Sequence, residues 1–289
     1  MNGWLIYNEA DAKKNKGYIQ FYKEEGEKLG IRIHLIYVEK LHFGVKNNEL
    51  YLEYEIENIP LPDFIICRTI YPFLTVHLEQ MGYLVYNNSK VASICNDKAR
   101  TYQYLAKKGI AMVDSEFCNN QYFYQKIHSS AKQTVVKAVS GHGGSQVFLI
   151  QEPTVEEIDK VYQDMRGDNL VIQPLVGTKH QDLRVYVIGQ KIIAAILRTA
   201  KDGFKSNFSL GGEVREYKLN QQEIEVVHQI IHQFEFGLVG IDFIINDQNQ
   251  LIFNEIEDVV GARMLYQCTD INLVRLYLEF ILQDMKKKK

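Results

Sequence analysis

The sequence predicts an α/β (α+β) protein with an N-terminal α/β unit, a smaller central unit and a C-terminal unit dominated by an antiparallel sheet. Three observations predict it. Strand-length apolar runs alternate with amphipathic helical runs through residues 1–90. Two strand-like runs, 134–139 and 147–150, enclose a glycine-rich loop. From residue 170 onward strands predominate, and two of them, 240–245 and 251–256, flank the turn-forming residues 246–250. The implied units are 1–90, 91–173 and 174–289.

Taken in order, 4–7 reads as a strand, 18–29 as a helix stopped by Gly30, and 31–38 as the next strand. A further strand at 63–67, a helix at 74–81 ending before Gly82, and a brief strand at 83–86 complete the first unit. Asn87, Asn88 and Ser89 mark a turn and the first boundary. A helix over 96–108, stopped by Gly109, leads to the two strands around the glycine loop and to a helix at 155–165. Strands at 171–173, 183–188 and 191–197, a helix at 221–234, the 240–256 hairpin and a helix at 273–282 follow.

Composition narrows the function. With 33 Lys+Arg against 36 Asp+Glu the formal charge is -3, so the basic excess of a phosphate-backbone binder is missing and nucleic acid is discounted as a partner. Cys67, Cys95, Cys118 and Cys268 lie far apart, with neither C-x-x-C pairs nor histidines at zinc-ligand spacing, and read as reduced thiols. The N-terminal apolar stretch soon meets Asn8, Glu9 and Asp11, and no later run reaches membrane-spanning length, so a cytoplasmic enzyme without a membrane partner is expected. Lys286 to Lys289 read as a frayed helix end, and His228 and His232 as a solvated helix face. Self-association is left open.

The chemistry concentrates in a few segments. Asp182, Arg184, Arg198, Lys205, Asn207, Asp242, Glu255 and Glu257 combine cations and amides for a polyphosphate with hard oxygen ligands for a divalent ion, which fits a Mg-nucleotide site. The loop Ser140 to Gln146 matches neither a P-loop nor a dinucleotide fingerprint, because strands flank it on both sides. It reads as a hairpin flap over a triphosphate or as a plain turn, with Lys137 in the preceding strand on one face with Val135 and Val139. His142, Gly143 and Gly144 are its candidate phosphate contacts, with no general-base role for His142. The 240–256 hairpin sets Asp242 opposite Asn254 or Glu255, and the second register gathers three carboxylates, since Glu255 and Glu257 share a strand face. Such a group is either a metal site or a solvated strand end. Arg68 and Tyr71, just past the strand 63–67, stand where open α/β sheets bind ligands and are candidate substrate contacts.

Together these motifs resemble the ATP-grasp superfamily, and more narrowly its RimK-like amino-acid ligases, over roughly residues 60–285. The resemblance implies an N-terminal α/β domain, a central lid domain and a C-terminal catalytic domain. It implies Lys98, within Cys95-Asn96-Asp97-Lys98, and Lys137 as the ATP lysines, and Gln173-Pro174-Leu175-Val176 as the adenine hinge. Asp182 and Arg184 resemble the D-x-R element, Arg198, Lys205 and Asn207 the polyphosphate or acyl-phosphate partners, and Asp242 and Glu255 the metal ligands. The chain departs from the pattern where E-x-N becomes Glu255-Ile256-Glu257, and where the usual serine and proline before Gly261 are missing. Arg263 follows, a candidate for a substrate carboxylate. The resemblance implies an ATP-dependent ligase joining a small-molecule or peptide carboxylate to an amine through an acyl phosphate, with Mg2+, or Mn2+ in its place. A phosphotransferase and a non-catalytic nucleotide-binding module are the alternatives.

Overall fold

Strand β1 (Asn2–Tyr7) is buried along almost its whole length because it lies inside a parallel sheet covered on both faces. The computed structural model, which describes residues 1–55, 59–127, 133–141, 146–165, 167–201 and 212–288, continues with α1 (Glu9–Lys14), α2 (Lys16–Lys28) and β2 (Arg32–Tyr37). Then come β3 (Leu41–Lys46), β4 (Glu49–Tyr54), β5 (Phe64–Cys67), α3 (Pro72–Gln80) and β6 (Val85–Tyr86). The parallel sheet has the order β2-β1-β5-β6, as the alternating pattern predicts. Two elements escaped that pattern. Helix α1 is only six residues, opened by Asn8, whose side chain accepts from the Asp11 N–H. The β3–β4 hairpin turns at Asn47 and Asn48, both at positive φ (51° and 65°), as a primed two-residue turn requires.

Two helices, α4 (Ser89–Cys95) and α5 (Lys98–Leu105), replace the expected turn at 87–89 and the single helix over 96–108. The residues read as turn formers are caps. Asn88 accepts from the Val91 N–H and Asp97 from the Arg100 N–H, each starting a helix. Both helices bury Val91, Cys95, Tyr102 and Leu105 against the C-terminal sheet, so the first part of the expected central unit packs with the C-terminal core. The rest of that unit is β7 (Glu116–Asn119), α6 (Phe123–Ile127), β8 (Thr134–Ala138), β9 (Val147–Ile150), α7 (Val155–Asp164) and β10 (Asn169–Pro174). Its strands form an antiparallel sheet in the order β7-β10-β8-β9, with Phe123, Ile158 and Val161 packed on Val136, Ala138 and Leu170.

The C-terminal unit comprises β11 (Gln181–Ile188), β12 (Lys191–Thr199), β13 (Glu213–Tyr217), α8 (Gln221–Ile231), β14 (Leu238–Ile245), β15 (Leu251–Asp258), α9 (Arg263–Cys268) and α10 (Leu273–Lys288). Its antiparallel sheet has the order β13-β12-β11-β14-β15. Leu183, Val185, Leu197, Ile241, Phe243 and Phe253 point one way, into a core closed by α8, whose Asn220 and Glu223 form a reciprocal capping box. Strand alternation therefore sends Asp182, Arg184, Arg198 and Asp242 to the opposite face. The expected fray at the C-terminus is a continued helix: α10 runs to Lys288, which pairs with Asp284 at 2.8 Å. No helix among the described residues is long and apolar enough to cross a membrane.

Candidate nucleotide and metal site

Register assembles the site. Arg198 on β12 lies opposite Asp182 on β11, Arg184 on β11 opposite Asp242 on β14, and Asp242 opposite Glu255 on β15. The last pairing is one of the two that the hairpin spacing allows, the other being Asp242 opposite Asn254. Glu257, two residues on, lies opposite Gly240. A Cβ on Gly240 would stand 2.7 Å from Val260 Cγ2 and 3.3 Å from Arg184 Cδ, so glycine lets the arginine cross the strand there. Between Asp242 and Phe243 the ladder shifts register, leaving Asn254 as the extra residue of a β-bulge.

Every carboxylate in this array meets a cation. Arg184 donates Nε to Asp242 Oδ1 at 2.8 Å and Nη2 to Asp242 Oδ2 at 2.6 Å, and its Nη2 also lies 2.6 Å from Glu257 Oε1. Arg198 donates Nη2 to Asp242 Oδ2 at 2.7 Å and Nε to Asp182. Lys98, at the start of α5, stands 3.0 Å from Glu255 Oε2 and donates to the Gly141 carbonyl. Lys137 on β8 donates to Asn254 Oδ1 at 2.7 Å. Arg184, Arg198 and Lys98 thus bring positive charge from the protein itself to the clustered carboxylates, beside whatever a divalent metal would add. Their separations in sequence hid this, because β11 comes to lie between β12 and β14 only in the folded sheet.

The titration of the array follows from burial set against these partners. Burial pushes the Asp242 carboxyl up, but Arg184 and Arg198 outweigh it and hold it below its ordinary value. Glu255 is lowered in the same way, burial being overcome by Lys98. Glu257 is raised, since burial there exceeds the help from Arg184 and Asp242 adds repulsion. Burial pulls Lys137 down to about 8 against the attraction of Glu255.

Several sequence-predicted residues take other positions. Gln173 turns its amide inward, donating to Tyr102 Oη at 3.0 Å and Ser115 Oγ at 2.8 Å, so its side chain is structural and only its backbone is left for a ligand. Pro174 is exposed at the end of β10, the Leu175 N–H donates to the Gln133 carbonyl at 2.9 Å, and Val176 follows half-buried. Arg263 opens α9 and is exposed, without an ion-pair partner among the described residues. Tyr71 is exposed and packs against Phe43 and Phe73 in an aromatic patch. His142, Gly143, Gly144, Lys205 and Asn207 lie outside the described residues. Sequence reasoning missed the role of Asn254, whose place as the bulged residue beside Lys137 depends on the ladder shift. It also missed buried Asp258, which accepts from Asn87 at 2.6 Å and Asn96 at 3.1 Å and so joins the chain entering α4 to the end of β15.

Ligand oxygens of Asp242, Glu255 and Glu257 all lie within 4.8 Å of one another, and an all-carboxylate donor set suits a hard divalent cation. Lys98, Lys137, Arg184 and Arg198 balance Asp182, Asp242, Glu255 and Glu257, four against four. A polyphosphate entering this neutral array has to bring its own counter-charge, so the residues fit a nucleotide loaded with divalent metal. The family described as the RimK-like ATP-grasp domain matches residues 95–281, which span this whole array. The chain belongs to the RimK-like ATP-grasp family. A RimK-like ATP-grasp protein of this kind is an ATP-dependent carboxylate–amine ligase, using ATP and Mg2+. Among relatives, the uncharacterised MG011 homologue of Mycoplasma pneumoniae is 29% identical over 98% of this chain and 93% of its own. A probable alpha-L-glutamate ligase of Legionella pneumophila is 30% identical over 73% of this chain and 70% of its own. The ATP-grasp ligase PsnB, solved with a phosphomimetic variant of its minimal precursor, Mg and ADP, shares the fold. Its TM-score is 0.69 at 13% identity, with 97% of this chain and 98% of that one covered.

Proposed function

We propose that this ligase phosphorylates a substrate carboxylate with the γ-phosphate of ATP, and that an amine then attacks the acyl phosphate to give an amide, ADP and phosphate. The observation that carries the reading is the neutral array formed by one face of the C-terminal sheet with Lys98 and Lys137, which contains both the cations for a transferring phosphoryl group and an all-oxygen metal set. Lys98 and Lys137 hold the polyphosphate, Lys137 best when protonated. Arg184 and Arg198 are pinned by Asp242 and Asp182, so their guanidinium planes are oriented before substrate arrives and face charge that develops in the transition state. Asp242, Glu255 and Glu257 would hold Mg2+, or Mn2+ in its place, which supplies neutralisation of the polyphosphate. Glu257 gives this chain one more negative ligand than the usual Asn.

The carboxylate and the amine are read as amino-acid or peptide groups, and the name of the Legionella relative points to glutamate as one of them. The reaction is assigned to the cytoplasm, in keeping with ATP as co-substrate and four unpaired cysteines. The test is ADP release by the whole chain with Mg-ATP, L-glutamate and a panel of peptide acceptors, repeated with hydroxylamine. A hydroxamate formed in step with ADP is the expected result, because hydroxylamine intercepts an acyl phosphate. A phosphoester product, or ATP binding without turnover across the panel, would overturn the ligase mechanism.

A further inference from the structure

Arg68 is a third buried arginine outside the array, and its surroundings differ in kind. It follows β5 at the C-terminal end of the parallel sheet and is 8% exposed. No carboxylate lies within ion-pair distance of it among the described residues, whereas Arg184 and Arg198 each meet two. Its two hydrogen bonds go to neutral oxygens, Tyr7 Oη at 3.3 Å and the Val260 carbonyl at 3.0 Å, and the Tyr18 ring lies 5.3 Å from the guanidinium carbon. A guanidinium has further N–H donors to give, and the groups in direct contact with this one are neutral, buried Asp258 acting on it only through space. The same locality holds the buried hydroxyls of Tyr18, Tyr22 and Tyr266, with the Tyr18 ring packed against both of the others. A buried guanidinium with donors to spare, and no carboxylate in direct contact among the described residues, is suited to an incoming anion.

The position of Arg68 identifies that group. Along β15 and the segment after it, Asn254 meets Lys137, Glu255 meets Lys98, Glu257 meets Arg184, and the Val260 carbonyl meets Arg68. Val259, a β-branched residue at φ 75°, turns the chain so that this last contact forms. The three residue steps from Glu257 to Val260 span at most about 10 Å, the reach of one amino acid. Phosphate charge is already met by the other cations, which leaves the far end of the substrate for Arg68. We infer that Arg68, backed by Tyr7, Tyr18, Tyr22 and Tyr266, receives a carboxylate of the substrate that does not react, so that the enzyme selects an amino acid or peptide bearing a second free carboxylate. This rests on the ligase reading above and adds to it a recognition site between the N-terminal sheet and the segment after β15.

Calorimetric titration of the full chain, preloaded with Mg-ADP, tests it with L-glutamate, its α-amide and its γ-amide. The wild type binds L-glutamate, and at least one amide binds about tenfold or more weakly, the cost of losing a bidentate guanidinium–carboxylate pair. In Arg68→Gln, L-glutamate falls to the level of that amide while Mg-ADP affinity stays within about twofold. Arg68→Lys keeps the charge but not the planar fork, and decides the matter if the glutamine variant does not fold: it too loses the acid-over-amide preference. Equal binding of the three compounds by the wild type, no binding of glutamate by a protein that binds Mg-ADP, or an unchanged preference in Arg68→Lys overturns the inference alone. Failure of the wild type to bind Mg-ADP overturns the ligase reading and this site with it.

Discussion

Two regions of this molecule bury arginine, and they do so in opposite ways. On the C-terminal sheet, Arg184 and Arg198 share Asp242 and each hold one further carboxylate, Glu257 or Asp182. Beside the N-terminal sheet, Arg68 is packed among tyrosines and, among the described residues, has no acid in direct contact, Asp258 acting on it only at longer range. A self-neutralised array is stiff and stable without ligand, and exchanges protein partners for phosphate and metal with little reorganisation. A cation left among neutral oxygens remains available to an anion from outside. On the proposed reading, the balance of charge around each arginine separates groups that act on the nucleotide from one that chooses the substrate.

The largest effect that could break the contrast is at Asp242. Asp242→Asn removes a carboxylate shared by two buried guanidinium groups and should cost about 3–5 kcal/mol of stability in urea unfolding, with ADP release lost. A cost below about 1 kcal/mol would mean that the array is not what holds this face together.

The next effect is one of pH. Lys137 sits at about 8 in the folded chain, below the ordinary lysine value of 10.5, so between these values the unfolded chain binds more protons. Without nucleotide, the lysine's contribution to stability therefore rises with pH across that window. Nucleotide binding has the opposite sign, since phosphate needs the charged lysine: affinity for Mg-ADP should fall about tenfold per pH unit above about 8. Lys137→Met should flatten both dependences, as titrations and melts from pH 7 to 10 would reveal.

The smallest effect sharpens the contrast from the other side. Arg68→Met breaks no direct ion pair and removes two hydrogen bonds to neutral oxygens, so its stability cost should stay within about 1–2 kcal/mol in the same urea experiment. A loss as large as that of Asp242→Asn would show that Arg68 is a structural clamp.

Much of the catalytic face was legible in the sequence. Alternation in 240–245 and 251–256, with a polar turn between, narrowed the partner of Asp242 to Asn254 or Glu255, and the bulge decides for Glu255. The caps at Asn88 and Asp97 carried readable chemistry too, but short polar residues look alike in turns and at helix starts, so α4 was taken for a boundary. What could not be read was who neutralises whom. Arg184 and Arg198 reach Asp242 across 58 and 44 residues, through a strand order that local periodicity does not encode. Edge strand β13 was missed for a related reason: its sequence Glu-Val-Arg-Glu-Tyr has too few apolar residues to announce itself. The tyrosines around Arg68 come from β1, α2 and α9, and only the folded chain brings them together.

The bulge at Asn254 has a consequence for how such an enzyme can be altered. An added residue that leaves the pairing of Phe253 with Phe243 and of Glu255 with Asp242 intact is a point where the hairpin accepts a change of side chain without moving its neighbours. Position 254 is also where the strand grips Lys137, the cation on the other sheet. Variation confined to this one codon would adjust how firmly the two sheets hold each other while leaving the carboxylate pairing in place, which makes it a natural starting point for laboratory evolution of turnover.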